Sequence, residues 1–343
     1  MRNRVPRRWL AAVLACAVAV GIAAWTASGL ASGGSTGASK KTFRVAVLLP
    51  GSITDHGYNA DGKRTADAIR TQLKAQVTYT QGVSVPNQAD VYRRYASQGY
   101  DLVIGWGGQF TDGAVQVARE FPKVKFLIVN SNATNGTNLA AYDQEPTPYE
   151  FLGGYILAKM SKTHVIGYIG AQCFPGTAKT FHGFEQGVKY GDPNAKLLKT
   201  FTQDFEDPTK AQQAAQALID GKADGLSGNL NNAWFGVFRA ANDARPRARV
   251  VTEWSDNHTL SPKVIVSSVL KSQTRFVVQV ARTATNGKWK GKFYLFGLPK
   301  NYGPAIAKTK LLPDSLYKQA LEVQRKLSAK KIKYKVDTSC PKS

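Results

Sequence analysis

Polar and aromatic side chains gather just after a series of short apolar runs. Asp55, His56, Tyr58 and Asn59 follow the first run, Trp106, Gln109, Phe110 and Asp112 the third, Asn130 and Asn132 the fourth. Further along, Cys173 and Phe174, then Asn229, Asn231, Asn232 and Trp234, then Trp254, Asp256 and Asn257 occupy equivalent places. Aromatic faces stack on flat solutes, and amides and carboxylates pair with ring nitrogens and hydroxyls. The set therefore suits recognition of a small, planar, polar molecule. Each residue also has a plainer role open to it: Asp55 and Asp112 as helix caps, Trp106, Phe110 and Phe174 as core plugs. Covalent chemistry finds less support. Neither Gly105-Trp106-Gly107-Gly108 nor Gly167-Tyr168-Ile169-Gly170 completes a dinucleotide fingerprint. No Walker loop or nucleophile elbow occurs, and His56, His164, His182 and His258 show no metal-ligand spacing. A Cys173 and His182 nucleophile pair stands without context. The reading is a binding protein, not an enzyme, with no cofactor and no metal.

The elements that must position these residues follow from periodicity. Phe43 to Pro50 is a short apolar β-branched run of the kind buried on both faces of a parallel sheet. A loop follows, then a helix from Lys63 to Ala75, a strand from Val77, a helix from Asn87 to Gln98, a strand from Tyr100, a helix from Asp112 to Glu120 and a strand from Val124. The pattern restarts with a helix from Thr147 and a strand from His164. Helices at Thr180 to Tyr190, Pro208 to Asp220 and Asn232 to Ala244 then alternate with strands ending near Gln203, Asn229 and Trp254. Such alternation predicts doubly wound parallel sheets, and its recurrence predicts two α/β lobes divided near Asp143 to Pro148. After Trp254 come a strand-like segment, a helix from Thr274 to Asn286 and Phe293 to Leu298. A chain that returns to the first lobe and then to the second crosses three times, giving a three-segment hinge. The expected boundaries are 43–145 plus about 268–291 for the first lobe and 146–267 plus about 292–320 for the second. A C-terminal helix and basic tail take 321–343.

Arg2, Arg4, Arg7 and Arg8 lead into an apolar run from Trp9 to Ala27 and then small residues, as in a signal peptide or an N-terminal anchor over 1–31. Residues 32–42 form a flexible Gly/Ser linker. Either outcome exports the body. The formal charge of +23 falls only to +19 without the four leader arginines, so the basicity belongs to the exported part. Outside the cytoplasm, anionic cell-wall polymers or lipid headgroups replace nucleic acid as partners of such a surface. Beyond Cys16 in the leader, Cys173 and Cys340 remain. They are readable as one disulfide pinning the tail to the second lobe, or as two free thiols.

From Phe43 to about Val336 the sequence resembles the basic membrane protein family of ABC-transporter solute-binding proteins, which includes purine and purine-nucleoside receptors. The resemblance rests on Thr54-Asp55-His56-Gly57-Tyr58-Asn59, Gly99 to Gly105 with Phe110 and Asp112, Phe121 to Phe126, Glu150-Phe151-Leu152-Gly153-Gly154 and Lys189 to Pro193. It continues through Phe205-Glu206-Asp207-Pro208, Gly236-Val237-Phe238, Trp254 to Asn257 and Ser267 to Lys271. It implies a type I periplasmic-binding fold, a ligand enclosed between lobes, an ABC permease as membrane partner, and a monomer. It also implies that Tyr58 stacks on a base beside Asn59, that Phe110 and Asp112 line the first wall, and that Asp256 and Lys271 approach ribose or ring heteroatoms. Nucleoside-binding relatives carry Gly-Val-Asp-Ser-Asp where this chain has Thr252-Glu253-Trp254-Ser255-Asp256, and Asn130 stands where aspartate is usual. A lost acid and an added indole point to a free base or another flat heterocycle. A sensor presenting its ligand to a membrane signalling protein, and an anion-binding or cell-wall-binding role for the basic body, are the alternatives.

Overall fold

Short strands, buried at the centre of each sheet and most of them followed by a helix, generate two parallel sheets in the computed structural model, which describes residues 42–341. The leader, nearly all of the linker and the last two residues lie outside the described residues. In the first lobe the order is β1 (Arg44–Leu48), α1 (Tyr58–Leu73), β2 (Gln76–Thr80), α2 (Gln88–Ser97), β3 (Leu102–Trp106), α3 (Thr111–Glu120), β4 (Lys125–Val129) and β5 (Leu139–Gln144). The second lobe contains α4 (Thr147–Met160), β6 (Val165–Gly170), α5 (Pro175–Gly191), β7 (Lys196–Phe201), α6 (Pro208–Asp220), β8 (Gly225–Asn229), α7 (Trp234–Asp243), β9 (Arg249–Glu253) and β10 (Ile265–Val269). The chain then adds α8 (Thr274–Thr285) and β11 (Phe293–Phe296) to the first lobe and finishes with α9 (Asp314–Ser328) against α4 of the second.

The first sheet runs β11-β5-β4-β3-β1-β2 and the second β10-β9-β8-β6-β7, every pairing parallel. Each sheet is covered on both faces, which gives four apolar clusters, two per lobe, all built from residues after Thr42. The body beginning at Thr42 is a compact unit by itself. In the second lobe α4 is buried from Thr147 to Ala158 and lies tightly against α5. A Cβ at Gly187 would sit 2.0 Å from the Phe151 carbonyl oxygen, and one at Gly154 2.2 Å from that of Phe184. Of the Gly153-Gly154 pair of the family motif, Gly154 thus serves the packing of α4 on α5, while Gly153 faces Val251 and Val269 of the sheet.

Three segments cross between lobes, and they are knitted together. The Glu145 amide donates to the Phe296 carbonyl at 2.9 Å, and the Leu270 amide to that of Ala305 at 2.8 Å, so the third crossing holds both others. Two boundaries differ from expectation. Ser268 and Val269 remain in the second sheet, and Phe293 to Phe296 belong to the first, paired with β5. The sequence reading contains no β5, because Leu-Ala-Ala-Tyr-Asp-Gln lacks the β-branched residues that mark strands; without it the following strand has no partner there. The C-terminal helix also starts earlier than residue 321, at Asp314. Cys173 and Cys340 are joined as a disulfide, and His182 Nε2 contacts the Ser339 carbonyl at 2.9 Å, so the tail is fastened along α5.

Candidate functional site

The cleft begins with the turn after β1. Helix α1 starts at Tyr58, five residues before its expected beginning, because the buried Asp55 carboxylate accepts the amides of Asn59 at 2.7 Å and Ala60 at 2.9 Å. These are orphan donors of the first turn, so Asp55 acts as its cap. The fully buried Asn59 donates to Asp55 at 2.8 Å and accepts the Gly51 amide at 2.9 Å. Asp55 and Asn59 are thereby engaged within the turn, which presents the Tyr58 and His56 side chains. Trp106, fully buried at the end of β3, supports it: its Nε1 donates to the Tyr58 carbonyl at 2.9 Å and the rings lie 5.9 Å apart.

From Tyr58 a network of neutral groups spreads across the first lobe. The phenol donates to Asn130 Oδ1 at 2.7 Å, which also accepts from Gln273 Nε2 at 3.2 Å. Burial, then the charges of Asp143, Asp61 and Asp55, push the Tyr58 phenol well above its ordinary range, so it remains a donor. Asn130 holds a left-handed φ of 58°, a conformation asparagine tolerates better than most residues. Its amide donates to Asp143 at 3.2 Å, and Asp143 in turn pairs with Lys179 of α5, a contact from lobe to lobe. Buried Asp61 accepts Ser272 Oγ at 2.6 Å, the Gln273 amide at 2.8 Å and Arg64 Nη2 at 3.1 Å, tying the second crossing to α1. Arg64 reaches on to Ser255 Oγ of the second lobe at 2.9 Å. Gln273 Oε1 is buried with no hydrogen-bond partner among the described residues.

The second wall is different. Trp254, with φ at 75°, turns its ring toward Tyr58, the two meeting edge to face at 5.1 Å. On its other side Lys271 Nζ lies 4.5 Å from the indole centroid, within cation–π range. Lys271, on the second crossing, is 1% exposed and pairs with Glu150 of α4 at 2.5 Å and with Glu253 at the end of β9. Asn229 Nδ2 donates to Glu253 at 2.8 Å. Burial raises the Glu150 carboxyl to about 7, the neighbouring Glu253 adding to the rise and Lys271 opposing it; Glu253 is raised by the same burial. Burial works against the Lys271 ammonium, but the two carboxylates outweigh it and its pKa rises. Nearer the mouth, Glu206 accepts from Asn231 at 2.7 Å and Asn232 at 2.8 Å, and Phe235 stands 6.3 Å from His56 of the first lobe.

Of the residues read from sequence, Tyr58 and Trp254 are brought together across the cleft, with Trp106 beneath. The others fall elsewhere. Phe110 is buried behind β3 with Tyr92 at 6.2 Å and Phe126 in the same cluster, on the sheet face opposite Trp106. Trp234 stacks on Phe238 at 5.8 Å, one helical turn on, and is core. Asp112 lies exposed in the first turn of α3, and exposed Asp256 accepts the His258 amide at 3.1 Å. Phe174 is 40% exposed beside Phe205 at 6.4 Å. Lys271 and Asn229 spend their donors on buried carboxylates. Missing from the sequence-based set are Asp61, Asp143, Lys179, Gln273 and the carboxylates Glu150 and Glu253. The one available signal was the polar run Lys271-Ser272-Gln273-Thr274 beside a crossing.

The chain is 25% identical over 294 residues to a purine-binding protein of Brucella abortus, covering 85% of this chain and 82% of that one. It is 23% identical over 267 residues to basic membrane protein B of Borreliella burgdorferi, covering 74% and 77%. Among solved structures, an ABC-transporter solute-binding protein of Aeropyrum pernix superposes with a TM-score of 0.76 at 19% identity, covering 87% of this chain and 94% of that one. The neighbours are type I solute-binding folds, as the two-lobed architecture requires. Residues 42–338 match the family model for PnrA-like ABC transporter substrate-binding proteins, and the chain belongs to that family.

Proposed function

We propose that this chain captures a purine-like base, or a heterocycle of similar shape, between its lobes and delivers it to an ABC permease on the outer side of the membrane. The observation that carries the reading is the meeting of Tyr58 and Trp254, one ring from each lobe, in front of the amides of Asn130 and Gln273. The name of the Brucella relative supports a purine. The edge-to-face contact is too close to hold a guest between the rings, since a planar ring sandwiched by two others needs centroids about 7 Å apart. The lobes must part for loading, and the three knitted crossings are the place for that motion. The buried, unpartnered Gln273 Oε1 supplies an acceptor for an exocyclic amine or ring N–H. Export is supported by the disulfide, which suits an oxidising compartment.

The test is calorimetric titration of the body with adenine, guanine, hypoxanthine, their nucleosides and a set of unrelated sugars and amino acids. Binding of at least one flat heterocycle, and loss of that binding in Trp254→Ala, is the expected result. Saturable binding of a sugar or amino acid in place of every heterocycle overturns the ligand class.

A further inference from the structure

We propose that the free edge of the first lobe, formed by β11 and the loop before it, is a docking surface for an anionic lipid bilayer. β11 is the edge strand of its sheet and pairs only with β5. Tyr294 and Phe296 turn inward, Phe296 stacking on Phe276 at 4.7 Å. Phe293 and Leu295 alternate with them and are 41% and 57% exposed. Soluble proteins guard such edges with charge on the outward face; here that face is apolar.

The guarding charges are present, but all of one sign and placed at the two ends. Lys288, Lys290 and Lys292 precede the strand and Lys300 follows it, all exposed. No acidic residue occurs between Asp256 and Asp314, a stretch with ten lysines and arginines. Among the described residues, its lysines that pair with carboxylates are Lys271, buried on the second crossing, and Lys308, on Asp314. The loop is held in place: Trp289 Nε1 donates to the Thr137 carbonyl at 3.0 Å, and Gly291 bridges to Gly136. An apolar pair bracketed by lysines that have no carboxylate partner among the described residues, Lys292 lying 4.8 Å from the Tyr294 ring centroid, matches the chemistry of a bilayer with acidic headgroups, where side chains such as Phe and Leu enter the interface and lysines meet phosphate. A soluble polyanion would engage the lysines and leave Phe293 and Leu295 in water. A second copy pairing edge to edge would set two acid-free, lysine-rich segments against each other, which like-charge repulsion opposes.

The test is co-sedimentation of the body from Thr42, which is free of the apolar leader, with vesicles of phosphatidylcholine alone or mixed in equal parts with phosphatidylglycerol. Partitioning onto the phosphatidylglycerol vesicles is expected, falling about tenfold in Phe293→Ser/Leu295→Ser and in Lys288→Gln/Lys290→Gln/Lys292→Gln. A matched charge control, Lys330→Gln/Lys331→Gln/Lys333→Gln, is expected to partition as the parent does. Thermal midpoints verify that every variant is folded. Absence of partitioning overturns the proposal, as does equal loss in the control, or binding indifferent to Phe293 and Leu295. A dimer in analytical ultracentrifugation that the Phe293/Leu295 substitution dissolves assigns the edge to a second copy and overturns it too.

Discussion

On the first lobe the cleft wall is a chain of neutral donors and acceptors from Tyr58 through Asn130 to Gln273, whereas on the second it is an indole laid over a buried ammonium and two carboxylates. The neutral wall is adaptable: Gln273 Oε1 has no hydrogen-bond partner among the described residues, and the amides can exchange one partner for another at small cost. The charged wall is held by ion pairs of Lys271 with Glu150 and Glu253 in a dry site, where breaking either would strand a buried charge at high cost. Under the proposed function, the difference gives discrimination among ligands to the first lobe and fixed geometry to the second. Lys271 stands on the second crossing while Glu150 and Glu253 stand in the lobe it leaves. The triad therefore anchors the hinge as well as the wall, and Trp254 roofs it from the cleft.

The largest effect should come from breaking that anchor. Lys271→Met removes the cation and leaves two buried carboxylates facing each other, at a cost of about 3–5 kcal/mol. Urea unfolding at neutral pH measures it; a loss below about 1 kcal/mol would mean the site admits water and the contrast between the walls is false. The penalty should shrink in acid, where the stranded carboxyls take up protons.

A smaller effect, with a definite pH signature, is expected at Glu150. Its folded pKa of about 7 lies above the ordinary carboxyl value, so the native state holds the proton more tightly than the unfolded chain. The contribution is full below the unfolded pKa and is lost as pH rises through about 7. Glu150→Gln cannot lose that proton, so its stability relative to the parent should improve between about pH 4.5 and 7 by about 1–3 kcal/mol and then level off. Parallel stability profiles for the two proteins across this window would show that Glu150 is not a titrating member of the triad.

On the neutral wall, Tyr58→Phe and Tyr58→Ala should separate hydrogen bonding from stacking. Loss of the ring is expected to weaken ligand binding by about tenfold or more, an effect of about 1.4 kcal/mol. Loss of the hydroxyl alone releases Asn130 to rebind and should cost less. Calorimetry orders the two. If Phe is as damaging as Ala, the phenol itself contacts the ligand and the wall is less adaptable than its geometry implies.

How far this could be read in advance depended on range. The alternation of buried strands and helices is local, and both lobes follow from it; β5 escaped because alanine and aspartate replace the β-branched pattern in Leu139 to Gln144. Tyr58 and Trp254 were legible as aromatics beyond strand ends. Phe110 and Trp234 carry the same signature and are core, since a strand end fixes where a residue sits and not which way it faces. Phe110 is turned behind the sheet by the short helical turn over Gly108–Phe110, and Trp234 is aligned with Phe238 by one turn of α7. The triad joins residues up to 121 positions apart, and Asp61 is an acid in a first helical turn like many others until its burial is known. Neither leaves a local mark.

The smallest expected effect is therefore the most discriminating test of orientation. Asp112 and Asp256 have the right chemistry and the right place along the chain, but both are exposed, and Asp256 already accepts its neighbour's amide. Asp112→Asn and Asp256→Asn should leave ligand affinity and stability within about 0.5 kcal/mol of the parent, as for surface substitutions in general. Asp256 shares its loop with Trp254, so its substitution probes whether that loop meets the ligand through the indole alone. A tenfold loss of affinity in Asp256→Asn, with Asp112→Asn unchanged, would bring an acid back onto the second wall. The guest would then carry a hydroxyl or amine for it to accept, and the nucleoside would regain its place over the free base.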